Sequence, residues 1–420
     1  MLANISRVVL ALVLVLSGFV KAVDPKGTMY KLQEYADAFY IDTFSSDWLL
    51  FFAIMLAAVE FLVGVFLLMG VYRRTMTAAV LAIFTLFTPF TLYLAIASPV
   101  EDCGCFGDAV EMPNWVTFLK NLFLLALSVI VFTGRKRFVR NVSVRNRWMV
   151  VLFSIFYVAF LEGVSLSYIP VVDFRPYAVG NNLRELTRST ADEYRTVMTF
   201  EKDGRTETFL SDSLPDETWT FVESRSELVS KGERARLSDF SIVDWENDYD
   251  IAGEVLADTG YVCIVVSELL EEASVGRVDK INDLYDYCLE DSLPFYAVTA
   301  SDEDDIQLWR KRTGAEYPIY WADNMMLRTM VRANPGLVLL KDGVIVGKWN
   351  VESMPDAVQM MAPQDETQES VTGLAGMRGM RFWMILLVVP LLFIVLLDLL
   401  TGRRRPAAKP AGCEDDKTAE

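Results

Sequence analysis

Two cysteines separated by a single glycine, Cys103-Gly104-Cys105, are the sharpest chemical feature of the sequence. A disulfide between them would close a small, strained ring, and strain of that kind raises the reduction potential, leaving the bond labile and oxidising. Gly104 and Gly107 would supply the unusual backbone angles that such a loop needs. This points to a redox-active pair. A structural disulfide, or a loop held by packing alone, is the competing reading, and on sequence both stand. No metal is expected, because two thiolates in a chain without a single histidine give an incomplete ligand shell.

Charged residues inside apolar runs are the second feature. Each is expensive in hydrocarbon unless it is paired or faces water. Glu60 lies near the middle of its run, while Lys21, Lys120 and Glu162 fall in the outer thirds of theirs, with Asn121 beside Lys120. An ammonium near a thiol favours the reactive thiolate, and a carboxylate at mid-membrane would relay protons to a thiol or a quinone. Cys103 and Cys105 are therefore the redox candidates, with Glu60 and Lys120 as proton relay or thiolate stabilisers. Against this stands the reading in which Lys21 and Lys120 snorkel and Glu60 pairs with one of them as polar glue between helices. The residues commit to no cofactor; a quinone is the candidate electron acceptor. The lack of histidine excludes Ser-His-Asp and Cys-His catalysis. Cys263 and Cys288 read as core residues, and Cys413 as a thiol in a tail. Five cysteines are too few for a disulfide framework. Trp321, Met325, Met326, Met330 and Trp349 form either core or a peptide-binding face.

The elements that carry these residues are set first by hydropathy. The 420-residue chain is 53% hydrophobic yet has a formal charge of −17, which requires segregation. Six runs are long enough for a ~30 Å hydrocarbon core: Ile5–Val23, Trp48–Gly70, Thr75–Ala97, Trp115–Thr133, Trp148–Ile169 and Phe382–Leu400. Between Val171 and Met380 the chain carries 40 acidic against 20 basic residues, so nucleic acid would be repelled. Lys and Arg concentrate in alternate connections: Arg73-Arg74, then Arg135 to Arg147, then Arg403-Arg404-Arg405. The positive-inside rule places these, and both termini, in the cytoplasm and the acidic region outside. A bacterial plasma membrane is the expected location and the lipid bilayer the expected partner. The first run, ending Val20-Lys21-Ala22, also resembles a signal peptide; a retained helix is the favoured reading.

In the acidic region, Tyr194–Phe200 and Thr206–Leu210 flank Lys202-Asp203-Gly204, a hairpin signal. Strands are expected at Arg236–Val243, Tyr261–Val266, Phe295–Thr299, Leu337–Lys341 and Val344–Trp349. Helices are expected around Glu268–Glu290, Asp302–Thr313, Asn324–Arg332 and from Pro355. Such a β-α pattern feeding a terminal hairpin gives a mixed sheet with helices on both faces.

Several motifs in the membrane half resemble the DoxX/MauE family. They are the opening helix from Arg7 through Ser17-Gly18-Phe19-Val20-Lys21 to Asp24-Pro25, Glu60 with Gly64, and Asp102-Cys103-Gly104-Cys105-Phe106-Gly107-Asp108. The segment Trp115-Val116-Thr117-Phe118-Leu119-Lys120-Asn121 completes the likeness to the cysteine-bearing MauE branch. The pattern from Ala235 to Met361 resembles the thioredoxin fold of the extracytoplasmic TlpA and peroxiredoxin-like branch, with Asn334-Pro335-Gly336 where that fold carries its cis-proline. One departure governs the chemistry. Where that fold carries Cys-x-x-Cys, this chain reads Ser267-Glu268-Leu269-Leu270-Glu271.

The expected fold class is thus a membrane all-α helical bundle plus an α/β thioredoxin-like domain with an N-terminal β-hairpin region. The expected divisions are a four-helix bundle over 1–135, a basic cytoplasmic loop with the fifth span over 136–170, and a β-rich region over 171–234. They continue with a thioredoxin-like domain over 235–361, a linker over 362–381, the last span over 382–400 and a disordered tail over 401–420. The leading functional reading is an extracytoplasmic thiol-redox or protein-maturation factor. Its Cys103–Cys105 pair exchanges with a client thiol protein, while its outer domain docks that client without chemistry. The resemblance implies the same, since MauE-like proteins are linked to maturation of a disulfide-rich enzyme. A non-enzymatic envelope adaptor, or a structural membrane protein of the DoxX family that the membrane half resembles, is the alternative. A small-molecule transporter is weaker, because no repeated half with broken helices is present.

Overall fold

The structure, a computed structural model, describes residues 2–41, 43–100, 102–110, 112–135, 141–202, 204–210, 214–216, 218–232, 234–361 and 377–402. They form two compact units, Met1–Arg175 with Met361–Glu420, and Pro176–Met360. Most of the expected tail, residues 136–140 of the basic connection, most of the expected linker and Cys413 lie outside the described residues.

The first unit is helical: α1 Leu2–Val23, α2 Pro25–Ala38, α3 Ser46–Met69, α4 Arg73–Ala97, α5 Asn114–Gly134 and α6 Arg147–Ser167, with a C-terminal helix Met377–Gly402. Among the described residues six helices are long and apolar enough to cross a membrane: α1, α3, α4, α5, α6 and Gly379–Thr401 within the C-terminal helix. All six coincide with the runs read from sequence. The chain is a multi-pass membrane protein. Helix α2, by contrast, falls in a stretch expected to be a plain connection. Asp24 caps it by accepting from Gly27 N at 2.9 Å, and Pro25 stands at its first position, where a missing N–H is harmless.

Close packing of α1 on α3 rests on two glycines. A Cβ on Gly18 would overlap the Phe61 backbone, and one on Gly64 would lie 2.7 Å from Val15 N. Small residues of this kind let helix backbones approach in lipid. The helix ends sort by side. Asn141 Nδ2 donates to Leu68 O at 3.0 Å, and Asp398 accepts from Ser143 N at 2.9 Å and Asn146 Nδ2 at 2.7 Å. The basic connections and the end of the last helix therefore share one end of the bundle, with the cysteine loop at the other. Tyr157 OH on α6 donates to Trp383 O at 2.8 Å, so the last helix is held along its length.

The second unit contains a short helix α7 (Leu183–Leu186) and a three-stranded antiparallel sheet of β1 (Glu193–Lys202), β2 (Arg205–Leu210) and β3 (Thr220–Ser230), order β2-β1-β3. The expected hairpin is β1–β2, with Lys202 opposite Arg205. Next come β4 (Val243–Asp244), β5 (Tyr249–Asp250), α8 (Ala252–Ala257), β6 (Tyr261–Ser267), α9 (Val278–Glu290) and β7 (Phe295–Thr299). They are followed by α10 (Glu303–Thr313), β8 (Ile319–Trp321), α11 (Asn324–Met330), β9 (Gly336–Lys341), β10 (Val344–Asn350) and α12 (Ala357–Met361). Seven strands form a mixed sheet in the order β10-β9-β6-β7-β8-β4-β5. In it β6, β7 and β8 are parallel, and β9 runs antiparallel to β6. The Asn334–Pro335 peptide is cis.

Three expectations are corrected here. The strand foreseen at Arg236–Val243 reduces to Val243–Asp244, because only Val243 and Asp244 find ladder partners. The helix foreseen from Glu268 starts at Val278: residues 268–277 form turns in which Leu270 is nonetheless buried. Strand β3 was not foreseen; it is exposed along its whole length, so no alternation marks it. Among the aromatic and Met residues, Met326, Met330 and Trp349 are buried and Met325 is exposed. Trp321 packs edge-on against Trp245.

Candidate functional site

The site is built on the face of α1 that presents Ser17 and Lys21, one turn apart. Because Gly18 and Gly64 let α1 and α3 touch, Lys21 Nζ reaches Glu60 Oε2 at 2.6 Å, and both side chains are buried. Ser17 Oγ lies 2.7 Å from Glu60 Oε2 and 2.7 Å from Cys105 O, and its single hydrogen serves one of them at a time. Lys21 Nζ also donates to Cys105 O at 3.0 Å and to Ser17 Oγ at 2.8 Å. The mid-membrane carboxylate is thus linked through one hydroxyl and one ammonium to the backbone of the cysteine loop.

Helix α2 holds the other side of that loop. Lys31 Nζ donates to Asp102 Oδ1 at 2.6 Å and to Glu34 Oε2 at 2.7 Å. Asp102 Oδ2 accepts from Gly104 N at 2.9 Å, and Tyr35 OH donates to Cys103 O at 2.8 Å. Gly104 takes φ +61°, and a Cβ there would press against the Lys31 side chain at 2.8 Å. Both the angle and the space therefore demand glycine.

This clamp brings Cys103 Sγ within 3.0 Å of Cys105 Sγ. Cys103 is buried, and Cys105 is partly exposed. A hydrogen bond from the Cys103 thiol, with the Lys120 and Lys21 ammonium charges, lowers the Cys105 thiol to about 6 against the opposing effect of burial. Cys103 is pushed up, first by its hydrogen bond to Cys105 and then by burial. The two thiols are differentiated: Cys105 is shifted toward the thiolate and Cys103 away from it. Burial, with the neighbouring Cys103, pushes the Tyr35 phenol up, so Tyr35 remains a hydrogen-bond donor.

Below the loop lies a cavity of about 460 Å³. Its walls are apolar, with Leu14, Leu56, Phe84, Phe87, Phe90 and Leu124, and its polar end carries Lys21, Lys31, Tyr35, Glu60, Lys120, Cys103 and Cys105. Lys120 Nζ sits 4.6 Å from the centre of the Phe106 ring. Asn121, also in the wall, is tied to α4 through Thr91 Oγ1 at 3.3 Å. A 460 Å³ cleft that is apolar with a few convergent polar groups matches small-molecule sites in general.

Of the charged residues singled out in the apolar runs, Lys21, Glu60 and Lys120 line one cavity with Cys103 and Cys105. Glu162 does not line the cavity; its Oε1, like Ser165 Oγ one turn on, is buried on α6 with no hydrogen-bond partner among the described residues. Ser17, Lys31, Tyr35 and Asp102 were missed as site residues. A signal for two of them existed: Asp24-Pro25 opens a helix, and Thr28, Met29, Leu32 and Tyr35 follow at helical spacing along its inner face. Among the described residues no cluster of three or more Cys, Asp or Glu could hold a metal ion.

Comparison with known proteins matches two segments of the chain. Residues 1–134 match the family described as methylamine utilisation protein MauE. Residues 194–231 match a domain of unknown function (DUF8463), which covers most of the three-stranded sheet. No curated protein and no solved structure matches the chain. The first 134 residues are a MauE-like membrane domain, and they contain the whole cysteine site.

Proposed function

We propose that this protein is a membrane-embedded thiol-redox factor for protein maturation outside the cytoplasm, working through Cys103 and Cys105. The observation that carries this reading is the differentiated pair. Cys105 is held toward thiolate beside Cys103, which keeps its proton, at the polar end of a lipid-depth cavity. In the oxidised state, a client dithiol reduces the Cys103–Cys105 disulfide and leaves as a disulfide. In the reduced state the pair would give up two electrons, and Cys103 one proton, as the disulfide re-forms; a quinone held between the apolar walls Phe84, Phe87 and Phe90 would be the acceptor, and Ser17, Lys21 and Glu60 would supply its second proton.

The MauE match supports a membrane-associated accessory role in maturation. The alternation of basic connections supports a plasma-membrane orientation with both termini inside and the acidic domain outside. The order β10-β9-β6-β7, with β6 parallel to β7 and antiparallel to β9, supports a thioredoxin-like domain. In that domain Ser267, at the end of β6, donates to Asn334 Oδ1 at 2.6 Å where the resemblance would place a thiol. We infer a docking module that does no thiol chemistry of its own at that position.

The test is acid-quenched thiol trapping in cells. Wild-type protein should show Cys103 and Cys105 partly reduced and partly oxidised, and a Cys103→Ala strain should accumulate a mixed disulfide between Cys105 and a client. A pair that stays wholly oxidised, with no mixed disulfide in the variant, favours the adaptor reading, in which the clamp by Lys31, Asp102 and Tyr35 merely stiffens the loop.

A further inference from the structure

Cys263 and Cys288 take no part in the chemistry above, and they occur in the other unit. Cys263, on β6, points toward α9. Cys288 closes the apolar stripe Val278, Ile281, Leu284 and Cys288 by which that helix is buried. Their exposures are 0% and 1%, and Sγ lies 3.7 Å from Sγ, van der Waals contact for sulfur. The contact is fixed by backbone as well as packing. Leu293 N donates to Cys288 O at 2.8 Å, and Cys263 N donates to Pro294 O at 3.0 Å. The short turn after α9 therefore ties both cysteine backbones to one spot.

We propose that Cys263 and Cys288 form a structural disulfide that staples β6 to the helix following it. Each thiol loses its proton and one S–S bond forms. The two electrons pass to a protein disulfide in the same compartment, which is reduced to two thiols. The sulfurs must approach from 3.7 Å to about 2.05 Å, a movement on the scale of side-chain rotation. Complete burial shields the bond from attacking thiolates once the domain has folded, so the pair holds structure and does not exchange. The inference shares with the proposed function the placement of the acidic domain outside the cytoplasm, where disulfides persist. It is independent of whether Cys103 and Cys105 turn over.

The experiment uses full-length protein, acid-quenched from cells, denatured, alkylated with N-ethylmaleimide and digested without reductant. A peptide pair joining Cys263 to Cys288, lost on reduction, is the expected result; both residues alkylated before reduction overturns the proposal. Orientation is read in parallel from an Asp216→Cys variant treated with a membrane-impermeant maleimide on spheroplasts. Labelling at position 216 together with alkylated Cys263 and Cys288 defeats the disulfide and leaves the orientation standing. Protection at position 216 defeats the orientation; if Cys263 and Cys288 are also alkylated, the disulfide falls with it. A Cys288→Ser variant should free Cys263 for alkylation in the denatured state, and a Cys263 that stays blocked there shows pairing elsewhere and overturns the assignment.

Discussion

Lys21 Nζ and Glu60 Oε2 stand 2.6 Å apart with both side chains buried, and this ion pair joins the first and third helices directly beneath the cysteine loop. Two charges in a low-dielectric interior persist because each neutralises the other, and removing one leaves the other uncompensated. Glu60→Ala should therefore destabilise the bundle by about 3–5 kcal/mol, whereas Lys21→Met combined with Glu60→Leu should fall closer to wild type. Thermal unfolding in detergent measures both. Equal, additive losses from the two single changes would show that the residues act separately.

Close helix approach makes that pair reachable. Gly18→Leu must displace the Phe61 backbone, so folded protein recovered from membranes should drop steeply. Gly163→Ala, where nothing stands within 4 Å of a new Cβ, should leave recovery unchanged. Size-exclusion profiles of the two variants decide the matter, and a well-folded Gly18→Leu protein would contradict the α1–α3 packing.

The six spans were legible because hydrocarbon thickness imposes length and apolarity on the sequence itself. Glu60, Lys21 and Lys120 were legible because charge in such spans is rare. Helix α2 was not. Its outer face is polar, and its net composition resembles a connection, so only the Asp24-Pro25 cap and the spacing of Met29, Leu32 and Tyr35 mark it. As a result Lys31 and Tyr35, which hold the cysteine loop, went unread as site residues although the helix that carries them was marked. In the second unit, β6, β7, β9 and β10 announced themselves as apolar runs with turn signals. Strand β3, exposed along both faces, carried no periodicity to read. The false start of α9 at Glu268 came from Leu269 and Leu270; Leu270 is buried by a turn and not by a helix.

Tyr35 is a prediction that only the structure offers. Its hydroxyl donates to Cys103 O, and Tyr35→Phe keeps the ring while removing that bond, a loss of about 1 kcal/mol. The fold should survive, and the loop should loosen. Faster alkylation of Cys103 in the folded, reduced protein is the expected reading; an unchanged rate would mean that the bond does not restrain the loop.

The acidity of Cys105 supplies the last prediction. An ordinary thiol is mostly protonated at neutral pH, with a value near 8.5, whereas Cys105 is held near 6 by the Cys103 hydrogen bond and by Lys120 and Lys21. Below pH 6 the site is protonated and slow. Between pH 6 and 8.5 it is already thiolate while an ordinary cysteine is not, so its advantage is confined to that window and disappears above it. Iodoacetamide labelling of Cys105 in reduced protein should therefore rise with a midpoint near pH 6. Lys120→Met removes one of the charges favouring the anion, so the midpoint must move upward. Cys103→Ala removes the larger effect, the hydrogen bond, and should move it further. A midpoint near 8.5 in the wild type, or a downward shift in either variant, would mean that the pair is not differentiated and that the redox reading has lost its physical basis.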